Sequence, residues 1–403
     1  MDFELTRLQK MTREKVKEFA EKEIAPEVQN NDEVVSYNRS FLSKMGRMGI
    51  LGICIPKCYG GSGLDYNCLA IACEELEKVD TGACLTITTH VASFALTLLQ
   101  WGTTEQKYKY LVPAVKGQVI GAFAMSESQA GSDIGNLKVT AVKEGDYYVL
   151  NGTKMWVALI DVAEVFLVFA RTDLAGGEKS ISCFIVERNF PGVKTQSIYG
   201  KMYVRLANTG QLILDNVRVP AENMLGEEGE GLIIALSGID SARFTTAAGA
   251  VGVIEGCREA SVKYARERHA FNQQIGRFQL IQSMIAEIEA GAEISRLLVY
   301  KVGWLKNEGK RCSQETALAK WYACDAAFKA ASYAMQIHGA YAYLNRFPLE
   351  RYLRNAKGAM IYAGTSEIQE VVLAEYALGF RKDEPLRRQL PGWPFEADEH
   401  GFD

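Results

Sequence analysis

The chain is 403 residues long, roughly two to three times a typical domain, and at 48% hydrophobic and 23% charged its composition is ordinarily globular. With 9 Pro and 36 Gly it has no room for long disordered, collagen-like or low-complexity stretches, so every region is expected to fold. Lys and Arg number 45 against 49 Asp and Glu, a formal charge of -4 that lacks the basic excess of a nucleic-acid binder.

From Leu5 to Ala25 apolar residues recur at helical spacing among Lys, Arg and Glu, which predicts an amphipathic helix ended before Pro26. Similar patterns cover residues 39–49, 67–77, 83–101 and 104–115, divided by Pro56, the Gly60-Gly61-Ser62-Gly63 turn and Pro113. Residues 1–120 therefore read as an all-helical domain. The N-terminus lacks a basic and then apolar leader, so a cytoplasmic protein is expected. The longest apolar stretches, such as Ala163 to Ala170, fall short of the roughly 20 residues that span a bilayer, so no membrane span is expected.

At Ile120 the texture changes to short β-branched, alternating runs: residues 147–150, 165–168, 182–186 and 211–214. Asn151-Gly152, Gly176-Gly177, Pro191-Gly192 and Asp215-Asn216 punctuate them at spacings that suit a small antiparallel barrel or sandwich, spanning 121–235. Helical periodicity returns in long segments, 238–268, 278–307, 313–338 and 364–377, which predict a helical bundle over 236–385. Thr245 to Gly252 is rich in small residues that permit close helix approach. Residues 386–403, with Pro391, Pro394 and a closing acidic run, form a C-terminal extension. The fold class is α+β multidomain.

The nine cysteines are scattered and mostly sit in apolar company, as in Gly52-Ile53-Cys54-Ile55, so they read as reduced, buried thiols. Cys54 and Cys58 lack a second ligand pair, and His90, His269, His338 and His400 are far apart, so no metal site is expected. There is no H-E-x-x-H, no G-x-x-x-x-G-K-[ST], no G-x-S-x-G and no G-x-G-x-x-G at a strand-to-helix turn.

Six segments in register change the picture: 123–133 (FAMSESQAGSD), 151–157 (NGTKMWV), 215–220 (DNVRVP), 266–271 (RERHAF), 336–340 (QIHGA) and 362–369 (YAGTSEIQ). Their order and spacing resemble the acyl-CoA dehydrogenase flavoprotein family over about residues 1–380. The resemblance implies an N-terminal helical domain, a middle β-domain and a C-terminal four-helix bundle, assembled as a homotetramer with FAD at domain and subunit boundaries. It implies an acyl-CoA substrate and an electron-transfer flavoprotein as electron acceptor.

By position, the resemblance puts Phe123, Met125, Ser126, Trp156 and Ala158 along the flavin ring, and Ser132 at flavin phosphate or the CoA moiety. An aromatic wall with hydroxyl and backbone donors suits a flavin. On composition alone, Phe123 and Trp156 read equally well as β-domain core. Arg268, Phe271, Gln279, Gln336 and Gly339 match positions that clasp the FAD adenosine diphosphate, for which a guanidinium fork is suited. Thr365 and Glu367 match the flavin's sugar and phosphate region. Asp240, Arg243, Tyr362 and Gly364 match the thioester and pantetheine side.

The family's reaction needs a carboxylate to take the α-proton while hydride leaves the β-carbon. In most members that carboxylate is a Glu, and here the matching residue is Ala363; in others it precedes the Arg of the bundle helix, and here that residue is Ala242. Three explanations stay open. Ala363 is a substitution that silences the enzyme; another residue is the base, His90 being the titratable candidate on a helix that borders the family's acyl pocket; or the chain is a relative that binds FAD and an acyl thioester without dehydrogenating it, or an oxidase or monooxygenase on the same fold. Ala158 also stands where a Ser or Thr hydroxyl usually approaches the flavin, and Ser128, Asn272, Ala340 and Ala342 depart from the usual residues. Arg205 reads as structural.

Overall fold

The structure, a computed structural model, describes residues 4–34, 39–173 and 180–395. It opens with α1 (Arg7–Phe19), started by a capping box: Thr6 accepts from the Gln9 N–H at 3.3 Å, and the Gln9 side chain accepts from the Thr6 N–H at 3.0 Å. The helix does not stop at Pro26 as expected. A wide turn over Ala20–Ile24, in which the Ala25 N–H reaches back five residues to the Ala20 carbonyl, runs straight into α2 (Ala25–Val34), and this widening of the ladder accommodates Pro26, which has no N–H to give. Then come α3 (Arg39–Arg47), α4 (Tyr66–Val79), α5 (Thr81–Thr86), a wide helical turn over Ile87–Ala95, α6 (Leu96–Trp101), α7 (Thr104–Gln106) and α8 (Val112–Val115).

The run Thr81–Trp101 corrects the expectation about apolar stretches: its 21 residues are long and apolar enough to cross a membrane. Its apolar window is nonetheless entirely buried inside the protein, so it is the core helix around which the first domain packs.

The middle of the chain forms β1 (Gly121–Ala124), β2 (Thr140–Glu144), β3 (Tyr147–Ala158), β4 (Val165–Arg171), β5 (Ile181–Glu187), β6 (Val193–Ser197), β7 (Thr209–Pro220) and β8 (Met224–Leu225). They build one sheet in the order β6-β7-β3-β2-β4-β5-β8, with β1 added beside β4. Pairing is antiparallel except that β1 runs parallel to β4 and β2 meets β4 in parallel at Thr140 and Arg171. Bulges in the β3–β7 ladder sharpen its twist. The sheet curls back on itself, since Tyr148 of β3 lies 5.1 Å from Phe184 of β5 although β2 and β4 stand between those strands. Leu150, Val157, Phe166, Val168, Val186 and Leu214 fill the enclosed core.

α9 (Gly231–Glu267) follows, then a two-stranded hairpin of β9 (His269–Ala270) and β10 (Gln273–Gln274), α10 (Gln279–Asn307), α11 (Ser313–His338), α12 (Leu349–Ala359) and α13 (Ser366–Ala377). α9, α10, α11 and α13 make the bundle. The small residues of α9 serve close packing: a Cβ at Gly252 would lie 2.2 Å from the Glu74 carbonyl oxygen, and one at Gly249 1.8 Å from Glu77 Oε2, both on α4.

The described part of the C-terminal extension straps the two helical domains together. Arg388 donates to the carbonyls of Trp101 and Gly102 at 2.7 and 2.8 Å, and Trp393 bonds Asn307 and Gly63. The closing acidic run lies outside the described residues. All nine cysteines are free thiols, and all but Cys58 are buried.

Candidate active site

β1 ends in a loop that is held from beneath. Lys154, on β3, donates to Glu127 Oε1 at 2.7 Å and to the Met125 carbonyl at 2.9 Å, and the two side chains are 0% and 3% exposed. Glu127 also accepts the backbone N–H groups of Lys138 and Val139. Burial pushes the Lys154 ammonium down to about 8. For Glu127, burial opposes ionisation, but Lys154 and the backbone donors outweigh it and hold the carboxyl below its usual range. The Met155 N–H bonds the Ser126 carbonyl at 2.8 Å, so the segment carrying Met125 and Ser126 is fastened to β3. Ser132 lies on the exposed far side of this loop.

One residue past Met155, the β3 backbone turns left-handed at Trp156 (φ 63°), at a bulge between Lys154 and Val157. The indole is 56% exposed. Core packing is therefore not its role, and a large indole on a strained backbone position is an open aromatic wall. Phe123 is half-buried, 4.8 Å from Phe169 and packed on α9 at Gly238. Ala158 is half-buried and paired with Thr209.

The second part of the site is the turn between α12 and α13. Ala363 (φ 55°) and Gly364 (φ 91°) are left-handed, and Thr365 caps α13 by accepting from the Ile368 N–H at 3.2 Å. Two cations grip the turn. Arg243 of α9 reaches the Ala363 carbonyl at 3.3 Å, and the buried Lys320 of α11 reaches the Gly364 carbonyl at 2.7 Å. Asp240 orients Arg243 at 2.9 Å and accepts from Ser313 at 2.6 Å. Tyr362 lies in this turn with its phenol pushed up by burial. Ala242, beside Arg243 on α9, is buried. Glu367 is exposed in the first turn of α13.

A third group gathers at the far end of the bundle. Arg268 ends α9 and lies 5.9 Å from the Tyr341 ring, while Phe271 is 88% exposed at φ 50°. Gln279 is the first residue of α10, and Gln336 and Gly339 (φ 57°) stand at the end of α11, all exposed. Tyr264 stacks on His338 at 4.2 Å and ties α9 to this end of α11. Arg268, Phe271, Gln279, Gln336 and Gly339 are all exposed.

His90 does not join the site as a base. Its Nδ1 accepts the Gly121 N–H at 3.0 Å, which fixes the neutral tautomer and makes Nε2 a donor to the Ala114 carbonyl at 3.0 Å. Burial pushes its pKa down. Both nitrogens are spent on backbone, so His90 is a strut between the core helix and β1. Arg205 is structural too, bonded to the Lys201 carbonyl and paired with Asp32 at 3.8 Å.

Sequence reasoning gave no role to Lys154, Glu127 or Lys320. A signal was available: Lys154 sits in the inward phase of an alternating strand with Tyr148 and Leu150, and Lys320 in the apolar phase of α11 with Ala323 and Ala327. A lysine in a core phase demands a buried acceptor.

Family models describe the same three parts. The acyl-CoA dehydrogenase N-terminal domain matches residues 6–118, the middle domain 122–217 and the C-terminal domain 229–378. The chain is 40% identical over 374 residues to the short-chain specific acyl-CoA dehydrogenase of Clostridium acetobutylicum, covering 93% of this chain and 99% of that protein. Butyryl-CoA dehydrogenase from Megasphaera elsdenii superposes with a TM-score of 0.92 at 36% identity, covering 94% and 100% of the two chains. A chain from a structure of the electron-transferring flavoprotein of Acidaminococcus fermentans also gives 0.92, at 42% identity and the same coverage. Fold and site thus define a flavin-dependent oxidoreductase acting on CH–CH bonds. The chain belongs to the acyl-CoA dehydrogenase family.

Proposed function

We propose that this protein introduces the α,β-double bond of an acyl-CoA thioester and hands the electrons to an electron-transfer flavoprotein, with its proton-abstracting step weakened by Ala363. Bound FAD supplies the hydride acceptor. The exposed Trp156 covers one side of the ring, and Phe123, Met125, Ser126 and Ala158 line it. Arg268, Phe271, Gln279, Gln336 and Gly339 take the adenosine diphosphate of FAD. All five are exposed, which supports a cofactor shared between copies in a homotetramer.

The observation that carries the reading is the gripped turn. Arg243 and Lys320 set two positive charges on the carbonyls of residues 363 and 364, an environment that keeps a neighbouring carboxylate ionised. Both places from which a carboxylate could use it, 242 and 363, hold alanine. The chain is thus built to bind flavin and acyl-CoA, and lacks the group that starts the reaction.

The test is an anaerobic visible spectrum of the FAD-loaded protein mixed with a panel of acyl-CoAs, beside that of the Ala363→Glu variant. Bleaching of the oxidised flavin band that is at least about a hundredfold faster in the variant supports the reading. Bleaching in neither overturns it in favour of an acyl-thioester-binding flavoprotein, and hydrogen peroxide formation in air would mark an oxidase.

A further inference from the structure

The start of α9 borders a cleft whose outer wall is the C-terminal strap. Ser237 and Asp240 of α9 form one side, Lys306, Lys310 and Arg311 around the α10–α11 turn form another, and Leu386, Gln389 and Leu390 of the strap close it. The match to the family's C-terminal domain ends at residue 378, so this wall comes from outside the family's common part.

The cleft leads to the gripped turn. Asp240, on its surface, holds Arg243 at 2.9 Å, and Arg243 reaches the Ala363 carbonyl at 3.3 Å. Three cations line the cleft against one carboxylate, and Asp240 is already engaged by Arg243 and Ser313. Such a lining favours an anion. The strap provides a stand-in for one: Asp383 meets Arg311 Nε at 3.1 Å, and the Glu384 carbonyl accepts from Arg311 at 2.5 Å.

The space beneath the strap is about 80 Å³, enough for a few waters and well under the roughly 300–1,000 Å³ of pockets that hold small molecules. A pantetheine arm with its phosphates cannot share it with Leu386, Gln389 and Leu390. The strap is fastened so that its middle can lift. Past residue 390 it is docked firmly: Tyr66 donates to the Pro391 carbonyl at 2.8 Å, Trp393 Nε1 to the Gly63 carbonyl at 3.1 Å, and the Phe395 ring lies 6.2 Å from Tyr66. Over the cleft, Leu386 and Leu390 are only half-buried, and Arg387 meets Glu230 at 2.7 Å and Glu227 at 3.2 Å, ion pairs that water readily replaces. Arg388, bonded to the Trp101 and Gly102 carbonyls, is the latch between the two regions.

We propose that the strap is a gate over the thioester side of the site: Asp383 holds Arg311 until a phosphate of an incoming acyl-CoA replaces it, and the lifted segment lets the pantetheine arm pass Asp240. The proposal rests on the acyl-CoA reading above. Binding that waits on such a movement is slow to associate, and loosening the gate speeds it.

The FAD-loaded full chain is mixed anaerobically with butyryl-CoA or octanoyl-CoA in a stopped-flow instrument, and the shift of the flavin absorbance gives the association rate. Arg388→Ala, which releases the latch, and Asp383→Asn, which frees Arg311, are each expected to raise that rate at least about fivefold. Should Arg388→Ala fail to hold FAD, Asp383→Asn decides alone. In the wild type, trypsin should cut after Arg387 and Arg388 several-fold faster when the thioester saturates the protein, because the bound ligand keeps the strap lifted. Equal association rates in the three proteins, or cleavage that the ligand leaves unchanged, overturn the gate and leave the acyl-CoA reading in place. A flavin spectrum that neither thioester perturbs in any of the three proteins overturns the acyl-CoA reading, and the gate with it.

Discussion

Lys154 and Glu127 form an ion pair closed off from water beneath the loop that carries Met125 and Ser126, with 2.7 Å between Nζ and Oε1. The pair joins β3 to that loop, so it positions both sides of the flavin wall at once. Removing one partner strands a buried charge, which typically costs about 3–5 kcal/mol. Glu127→Gln and Lys154→Met should each show losses of that size in urea unfolding, and the double variant should lose much less than their sum. Additive losses would mean the pair is not coupled.

Trp156 should separate binding from stability. Because the indole is 56% exposed and packs little, Trp156→Ala is expected to change apoprotein stability by no more than about 0.5 kcal/mol. Its FAD affinity should fall at least tenfold, a loss near 1.4 kcal/mol. Equilibrium dialysis of FAD beside thermal unfolding of the apoprotein measures both. A large drop in apoprotein stability would return Trp156 to the core.

Installing the missing carboxylate should restore turnover. Ala363→Glu is expected to speed flavin bleaching by the responsive acyl-CoA by about 10²–10⁴, the usual worth of a positioned base. The Arg243→Lys change on top of it should undo part of the gain, since a point charge cannot hold both Asp240 and the Ala363 carbonyl as the fork does. Single-turnover spectra give both numbers.

In the proposed flavin site, Ala158 offers no hydroxyl to the ring. A donor there favours the electron-rich reduced ring, so Ala158→Thr should raise the two-electron midpoint potential by about 20–30 mV, the equivalent of one hydrogen bond. Spectroelectrochemistry reads it directly. An unchanged potential would place the side chain away from the ring.

Glu77 also makes a pH prediction. Burial lifts its carboxyl from an ordinary value near 4.5 to about 7, so between those pH values the folded state holds a proton that the unfolded state has lost. Stability then falls as pH rises through that window, by an amount on the order of 3 kcal/mol. Glu77→Gln should lose that slope and be the more stable form at pH 8. Urea unfolding of both proteins at pH 5 and pH 8 isolates the effect, because Glu74, also raised to about 7, titrates in each. Parallel curves would show that Glu77 stays ionised in the fold.

The sequence by itself determined the helix, strand, helix order, the wide small-residue seam of α9 and the two alanines at the places a base should occupy. Those are local properties: periodicity of 3.6 or 2, turn residues, and short motifs whose spacing survives without coordinates. It also marked which residues to watch, among them Trp156, Arg243 and the Tyr362–Thr365 turn. Tertiary structure alone decided how those residues are held. His90 is ruled out as a base because Ala114 and Gly121, on other elements, take both of its nitrogens. Lys154 becomes a strut only when Glu127, 27 residues earlier, meets it in the dark of the sheet. Among the described buried carboxylates, Asp32, Glu74, Asp80 and Glu127 each meet a cation in space, while Asp65 caps a helix. Charge in a protein interior is compensated by whatever the fold brings within a few ångströms, and sequence distance does not encode that proximity.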